Sequence, residues 1–391
     1  MNNLKISRLA VSALFLTHGF TFANWATRIP DVQQKLGMSE GQLGVALSGL
    51  AIGVLPSLMF SRGLVERFGS RRVTTAGTLL MLMVLPVLAL APSPLTLWLT
   101  LFMFGVTGAA HDVAKNTQAV TLERGYGRSM MNSFHALFSL SAFFGALAGA
   151  AFIKSGIGLL THFLIVAAVS IVVTIIASRY LSDDLPETTG GDKPPVFKLP
   201  ELVLLPLGVV VFSSALAEGA MFDWATVYMN SIVLAGAGTA AFGFAGFNIM
   251  MTLGRLFGDR ALQRVSSVQL VRYGGLFAGS GLMLAAVFPS VPTVILGFGM
   301  VGLGLSVTVP TTISAAGRIP GISPGAGIAG VSMFGYSAFL AGPPLIGGIA
   351  EVTSLPLALG LVGILAATLY ISGLSLKRSQ VVVAAAAAPA K

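Results

Sequence analysis

The chain has 391 residues, of which 55% are hydrophobic and only 9% are charged, and its mean hydropathy is +0.87. Soluble domains carry about 25% charged residues, so this composition excludes a soluble globular protein and indicates an integral membrane protein. The net charge of +9 does not indicate a nucleic-acid partner, because membrane topology explains it. The lack of cysteine excludes disulfides and thiolate metal sites.

Twelve segments of the chain are long and apolar enough to cross a bilayer, which takes about 20 residues. The first follows Lys5 and Arg8 without an evident cleavage site, so it is predicted to be a retained helix rather than a signal peptide. In chain order the predicted spans are 8–28, 39–61, 72–91, 95–120, 130–153, 159–180, 202–228, 237–257, 269–288, 291–315, 326–349 and 354–375.

These spans predict an all-α integral membrane protein made of two six-helix halves. We expect an N-terminal bundle at 1–181, a cytoplasmic linker at 182–200, a C-terminal bundle at 201–376 and a cytoplasmic tail at 377–391. With the N-terminus inside, most of the 23 lysines and arginines fall in cytoplasmic segments. The positive-inside rule therefore predicts a multi-pass protein of a bacterial-type inner membrane with both termini in the cytoplasm.

The two halves repeat each other in sequence. Residues 22–27 (FANWAT) recur as 221–226 (MFDWAT), Glu66-Arg67 recurs as Asp259-Arg260, and 138–144 recurs as 334–340. Three landmarks at nearly one spacing indicate a duplicated half that forms a pseudo-twofold pair. Parallel repeats in an apolar chain are typical of transporters, whose halves rock about a site between them.

The loop after the second predicted span carries a motif. Residues 62–72 read RGLVERFGSRR, and residues 254–260 read GRLFGDR. Together with twelve helices in two halves, they resemble the major facilitator superfamily, whose loop motif is G-x-x-x-D-R-x-G-x-R-R. The resemblance implies that charged side chains in these turns pair with helix ends of the other half and hold the inner side closed. The gating candidates are Glu66, Arg67, Arg71, Asp259 and Arg260. The alternative for Arg71 is plain positive-inside charge.

A narrower resemblance lies in the fourth span. Residues 108–116 read GAAHDVAKN and contain a carboxylate-x-x-x-Asn pattern similar to that of fucose-permease-type sugar/proton symporters. The continuation QAV looks like the YbjJ/MosC-type branch, which is associated with rhizopines, a group of amino-cyclitols. The resemblance implies proton-coupled transport of a sugar, polyol or amino-cyclitol. The chain departs from it in two places: Lys115 replaces an apolar residue, and Trp25 lies near the position of a helix-1 carboxylate.

Ionisable groups inside a membrane are costly and indicate function. Asp112, Lys115 and Asn116 share one helix face, because they are spaced i, i+3 and i+4. With His135 in the fifth span, they are predicted to form a buried cluster in which Asp112 exchanges a proton. Two alternatives remain open: Asp112 and Lys115 form a permanent ion pair, and Asn116 bonds a neighbouring helix rather than the substrate.

A second group of polar residues lies on the first and seventh spans. Glu218 is the candidate for a proton or a substrate amine, and Asp223 recurs in register with Asn24. In the superfamily these two helices face each other near the outer entrance. We therefore expect Arg28 to pair with Asp223 or Glu218 when that entrance closes. The alternative is that Arg28 only anchors its helix at the interface.

Aromatic residues near these groups are candidates for the cavity wall, because their faces stack on sugars and attract cations. The competing interpretation is core packing or an interfacial belt. The recurrence in register favours function for the Trp25/Trp224 pair. His18 is a further candidate for the wall. The full set is His18, Phe22, Trp25, Phe222, Trp224, Tyr228 and Tyr336.

Other classes of protein fit less well. The chain has no nucleophile elbow, no phosphate-binding loop and no His-x-x-x-His spacing, so neither an enzyme, a cofactor nor a metal is predicted. The expected partners are a small solute, protons and the bilayer, and the expected state is a monomer. A channel, a receptor, a transporter of an anionic solute and a proton-driven efflux antiporter for drugs or organic cations remain as alternatives.

Overall fold

A computed structural model describes residues 2–127, 130–183, 202–236, 238–319, 322 and 324–376. Most of the predicted linker and the whole predicted tail therefore lie outside the described residues. Within the described part the chain forms a short 3₁₀ turn at Leu202–Leu204 and fourteen α-helices. These are α1 (Asn2–Leu36), α2 (Glu40–Phe68), α3 (Ser70–Leu90), α4 (Pro94–Tyr126), α5 (Met131–Lys154), α6 (Leu159–Ser178), α7 (Leu205–Ser231), α8 (Ala241–Arg264), α9 (Ser267–Val287), α10 (Val291–Leu305), α11 (Thr308–Ala316), α12 (Pro324–Val352), α13 (Leu355–Ala367) and α14 (Leu369–Ser372).

Helices α1 to α9 correspond to the first nine predicted spans, and α12 corresponds to the eleventh. The tenth span is divided into α10 and α11, because Pro310 has no N–H to donate to the carbonyl of Ser306. The twelfth span is divided into α13 and α14. Eleven of the described segments satisfy the length and hydropathy of a membrane-spanning helix. Helix α8 is not among them, since Asn248, Arg255 and its glycines lower its hydropathy.

The two halves pack in the same way. In the N-terminal half α1 packs against α5, α2 against α4, and α3 against α4 and α6. In the C-terminal half α7 packs against α12, α8 against α10, and α9 against α10 and α13. Each contact of the first half thus has its counterpart one repeat later. The sequence repeat is therefore also a repeat of the fold.

The halves meet through α1 with α7, α2 with α12, and α5 with α8. We call the end that carries the α1–α2 turn the outer end, as the positive-inside rule predicts. Here α2 and α12 approach closely: a Cβ added to Gly44 would lie 2.4 Å from the carbonyl oxygen of Pro343. The backbone N–H of Gly41 also donates to Glu351 Oε2 at 3.0 Å. The outer end is therefore closed by direct contact between the halves.

Candidate functional site

Two adjoining chambers lie between the halves and form what we call the central cavity. Their volumes are 210 and 290 Å³, and they share His18, Phe22, Leu50, Val54 and Tyr336 as lining residues. The first chamber reaches Asp112 on α4, and the second reaches Glu218 and Asp223 on α7. Both halves of the molecule thus contribute carboxylates to one cavity.

A larger cavity of 760 Å³ lies toward the opposite, predicted cytoplasmic end, and we call it the vestibule. Its lining includes His135 at the start of α5, Arg255 on α8 and Arg318 after α11. Glu218 lines both the vestibule and the central cavity. The arrangement is therefore closed at the outer end and hollow toward the other end, with Glu218 between the two spaces.

On the N-terminal wall the buried ammonium of Lys115 is fully surrounded. Its Nζ lies 3.0 Å from Asp112 Oδ1 and 2.9 Å from His18 Nδ1, and it stands 4.0 Å from the centre of the Phe15 ring. Because an ammonium can only donate, His18 accepts at Nδ1 and is left with its Nε2 for other contacts. The predicted pair of Asp112 and Lys115 is therefore formed, and His18 is part of it.

Asp112 faces the cavity, since 41% of its side chain is exposed. Its Oδ2 accepts a hydrogen bond from Asn116 Nδ2 at 3.0 Å, and the same amide donates to the carbonyl of Asp112 at 2.9 Å. Asn116 thus orients the carboxylate in this structure. Its own Oδ1 is buried and has no hydrogen-bond partner among the described residues. His135 stacks edge-on against Phe15 and lines the vestibule, next to this cluster.

The C-terminal wall holds an ion pair that the sequence did not indicate. Arg255 donates from one terminal nitrogen to Glu218 Oε1 at 3.3 Å and from the other to Ser139 Oγ at 2.6 Å. Ser139 belongs to α5, so the guanidinium also joins the two halves. Arg255 belongs to the motif at residues 254–260, but that local pattern does not indicate its neighbours Glu218 and Ser139.

Asp223 lines the central cavity and differs from the other two carboxylates. It has no ion-pair or hydrogen-bond partner among the described residues, whereas Asp112 has Lys115 and Glu218 has Arg255. Phe22 and Phe222, which flank this region from opposite halves, meet edge to face with ring centres 5.6 Å apart. The two copies of the repeated segment, residues 22–27 and 221–226, thus meet at this point.

Arg28 does not form the expected pair with Asp223 or Glu218, although the outer end is closed. Its Nε donates to His162 Nδ1 at 2.9 Å, and its terminal nitrogens donate to Asp31 and to the carbonyl of Ile157. The reason is its helix face, which points to α6 of the same half rather than to α7. Asn24, one turn earlier, accepts from His162 Nε2 at 2.6 Å and belongs to the same network.

The aromatic candidates divide into two groups. Phe22, Phe222 and Tyr336 line the central cavity. Trp25 and Trp224 are almost completely buried in the hydrophobic core, and Tyr228 donates to the carbonyl of Ala285 at 2.7 Å. The Trp25/Trp224 pair therefore recurs because both halves need the same large core residue, which favours the packing interpretation over a place in the cavity wall.

The gating candidates make local contacts in this structure. Arg71 on α3 donates to the carbonyl of Ser178, the last residue of α6, and to Asp183 at 2.7 Å, shortly after that helix. Arg67 and Arg260 lie over the rings of Phe68 and Phe257. Glu66 has a partner as well. The side chain of Asp259 lies outside the described residues. The observed contacts of Arg67, Arg71 and Arg260 are each made within one half.

Most of the chain is similar to one family of membrane transporters and to individual proteins of that family. The model of the Major Facilitator Superfamily matches residues 10–320. An uncharacterized MFS-type transporter of Yersinia pestis is 32% identical over 93% of this chain and 94% of its own length. The membrane protein MosC of Rhizobium meliloti is 30% identical over 91% of this chain and 86% of its own length.

Solved structures share the fold at much lower identity. The nucleoside transporter NupG superposes with a TM-score of 0.69 at 14% identity, covering 97% of this chain and all of NupG. A bacterial homolog of the human lysosomal transporter Spinster, in an inward-facing and unoccupied conformation, superposes with a TM-score of 0.66 over 98% of this chain and 95% of its own. With the family model and the relatives above, the twelve predicted spans, the repeated halves and the cavity between them show that this chain belongs to the Major Facilitator Superfamily of membrane transporters.

Proposed function

We propose that the protein is a proton-coupled secondary transporter that moves a small polar solute across the inner membrane by alternating access. The observation that carries the proposal is the central cavity, which lies between two repeated halves and is lined by carboxylates from both. Ionisable groups are kept inside a membrane where they bind ions or substrates. Contacts between the halves close the outer end, and a vestibule leads to the other end.

The proposed solute is a sugar, a polyol or an amino-cyclitol. The central chambers are small and their polar groups are few, and Asp112 and Glu218 are held by neighbouring side chains, as in sites where a few placed polar groups orient a small ligand. Asp112, oriented by Asn116, presents an acceptor to the first chamber, and His18, whose Nε2 has no hydrogen-bond partner among the described residues, presents a donor. The resemblance of residues 108–116 to sugar/proton symporters supports the same class.

Proton coupling and gating complete the proposal. Asp112, Lys115 and Glu218 are candidates for coupling, because each is held in an ion pair that a proton would disturb. His135 is a further candidate, because it lines the vestibule next to the cluster of Asp112 and Lys115. The turn residues Glu66, Arg67, Arg71, Asp259 and Arg260 are proposed to exchange their local contacts for contacts between the halves when the inner end closes. Both termini are proposed to lie in the cytoplasm.

The test is solute flux in proteoliposomes that contain a pH-sensitive dye. We expect an inositol, an aminoinositol or a hexose to enter and to move protons with it, and we expect Asp112→Asn to abolish the coupled proton movement. Glu40→Gln, a carboxylate at the start of α2 outside the cavity, serves as the matched control and should behave as the wild type. Transport of bulky cationic drugs alone would contradict the proposed polar solute and favour a drug efflux antiporter. Solute flux without proton movement would contradict the proposed proton coupling.

A further inference from the structure

Of the three carboxylates that line the central cavity, two form ion pairs and one does not among the described residues. Asp112 is balanced by Lys115 at 3.0 Å, and Glu218 is balanced by Arg255 at 3.3 Å. Asp223, which lines the same cavity on α7, has no cation within reach among the described residues. A carboxylate away from bulk water is costly unless it is paired or neutralised. Asp223 is therefore the carboxylate of this cavity whose charge is left to a proton or to a bound cation.

The sequence repeat explains why Asp223 has no partner. In the first copy the equivalent residue is Asn24, whose amide is satisfied by the carbonyl of Phe20 and by His162. One turn later the first copy has Arg28, while the second copy has the apolar, buried Val227. The second half also contains no histidine at all. The second copy thus has a carboxylate at the position of Asn24 and no cation at the position of Arg28.

Aromatic residues form part of the chamber that Asp223 lines. Phe22, Phe222 and Tyr336 line it together with Phe138 and Phe339, beside aliphatic side chains such as Leu47 and Val54. Aromatic faces attract cations, with a strength of about 0.5–2 kcal/mol for each favourable contact. A carboxylate without a protein partner beside aromatic rings is the chemistry that recognises an organic ammonium group. A carboxylate ligand, by contrast, would meet a like charge at Asp223.

We propose that Asp223 anchors a positively charged amino group of the transported solute, so that the solute is a hydroxylated amine rather than a neutral sugar. The inference rests on the proposed function as a solute transporter and narrows its substrate class. The ammonium supplies the missing positive charge beside Asp223. The hydroxylated part of the solute extends toward the chamber that holds His18 and Asp112, at the other wall of the cavity.

The experiment compares two ligands that differ in one group: inositol and the aminoinositol in which one hydroxyl is replaced by an amine. Binding to the purified full-length protein is measured by titration calorimetry at neutral pH. We expect the wild type to bind the amine at least tenfold more tightly than the alcohol. Asp223→Asn should abolish that preference, since it installs the residue that the first copy carries. Asp223→Glu, which keeps the charge, should preserve it.

Glu40→Gln again serves as the control for a carboxylate remote from the cavity and should retain the preference. Equal affinity for amine and alcohol in the wild type would overturn the inference, even if both are transported with protons and the proposed function holds. An amine preference that survives in Asp223→Asn would overturn it as well. If neither ligand binds and neither is transported, the inference and the proposed polar-solute function fail together.

Discussion

The two copies of the repeated segment, residues 22–27 in α1 and 221–226 in α7, are both helical but have different roles. In α1, Asn24 and Arg28 join His162 of α6 in a network in which each polar group has a partner. In α7, the equivalent Asp223 faces the cavity with no partner among the described residues, and Val227 replaces the arginine. The first copy stabilises its own half, and the second copy offers a charge to the space between the halves.

The difference shows how a duplicated half acquires a binding wall without a change of fold. The tryptophans beside these positions, Trp25 and Trp224, are core residues in both copies. Packing therefore keeps the helices in equivalent places, while a few polar positions diverge. Residues that are the same in both copies maintain the fold, and positions at which the copies differ are candidates for function.

The largest expected effect comes from making Asp112 resemble Asp223. Lys115→Met removes the ammonium that pairs with Asp112 and also the donor to His18 Nδ1. Breaking a buried pair from one side costs about 3–5 kcal/mol, and we expect about 3 kcal/mol here, because Asp112 is partly exposed to the cavity. The measurement is the unfolding midpoint of the purified protein together with coupled transport, and both should fall.

The double variant Lys115→Met with Asp112→Asn is the control for that prediction. It removes both charges, so the melting temperature should recover in part while coupled transport stays absent. If the single variant is as stable as the wild type, Asp112 does not depend on Lys115 and the contrast between paired and unpaired carboxylates is lost.

A smaller effect is expected from the network of the first copy. Arg28→Met leaves His162 Nδ1 and the carbonyl of Ile157 without their donor. A buried polar group without a partner costs about 1–3 kcal/mol, so we expect a stability loss of about 2 kcal/mol, measured by thermal unfolding. The preference for an amine over an alcohol should remain, because the network does not line the cavity at Asp223.

Arg28→Lys is the matched variant, since it keeps the charge and loses the guanidinium group. Its stability should lie between that of the wild type and that of Arg28→Met. Asp223→Asn should give the opposite pattern, with stability retained and amine preference lost. A loss of amine preference in Arg28→Met would show that the first copy contributes to binding and would remove the division of roles between the copies.

Hydropathy and the repeat were sufficient to predict the membrane fold, its two halves and the general positions of its helices. Helix ends were less predictable, because α1 continues past Pro30 to Leu36 and α2 continues to Phe68, beyond the stretch that hydropathy detects. The break between α10 and α11 was also missed, since a proline in an apolar segment is compatible with a continuous or a divided span.

At the site, local spacing predicted what depends on one helix. The pair of Asp112 and Lys115 follows from positions i and i+3. The contacts of Lys115 with His18, and of Arg255 with Glu218 and Ser139, join residues that are 97, 37 and 116 positions apart and depend on tertiary packing. Arg28 illustrates the same limit, because its position in the chain predicts its depth in the helix but not the neighbour that its side chain faces.

The closed outer end above Asp223 gives the last prediction, with the smallest expected effect on stability. A Cβ at Gly44 would lie 2.4 Å from the carbonyl oxygen of Pro343, so Gly44→Ala forces α2 and α12 apart while each half remains packed. The control is Gly348→Ala on α12, where an added Cβ meets nothing within 4 Å.

Since the chain has no cysteine, Leu47→Cys on the cavity wall is a unique label site for a membrane-impermeant maleimide applied from outside. Gly44→Ala should raise its labelling rate several-fold and Gly348→Ala should not. Equal labelling in both would mean that this contact does not close the cavity over Asp223, and that the carboxylate of the second copy is shielded by another part of the molecule.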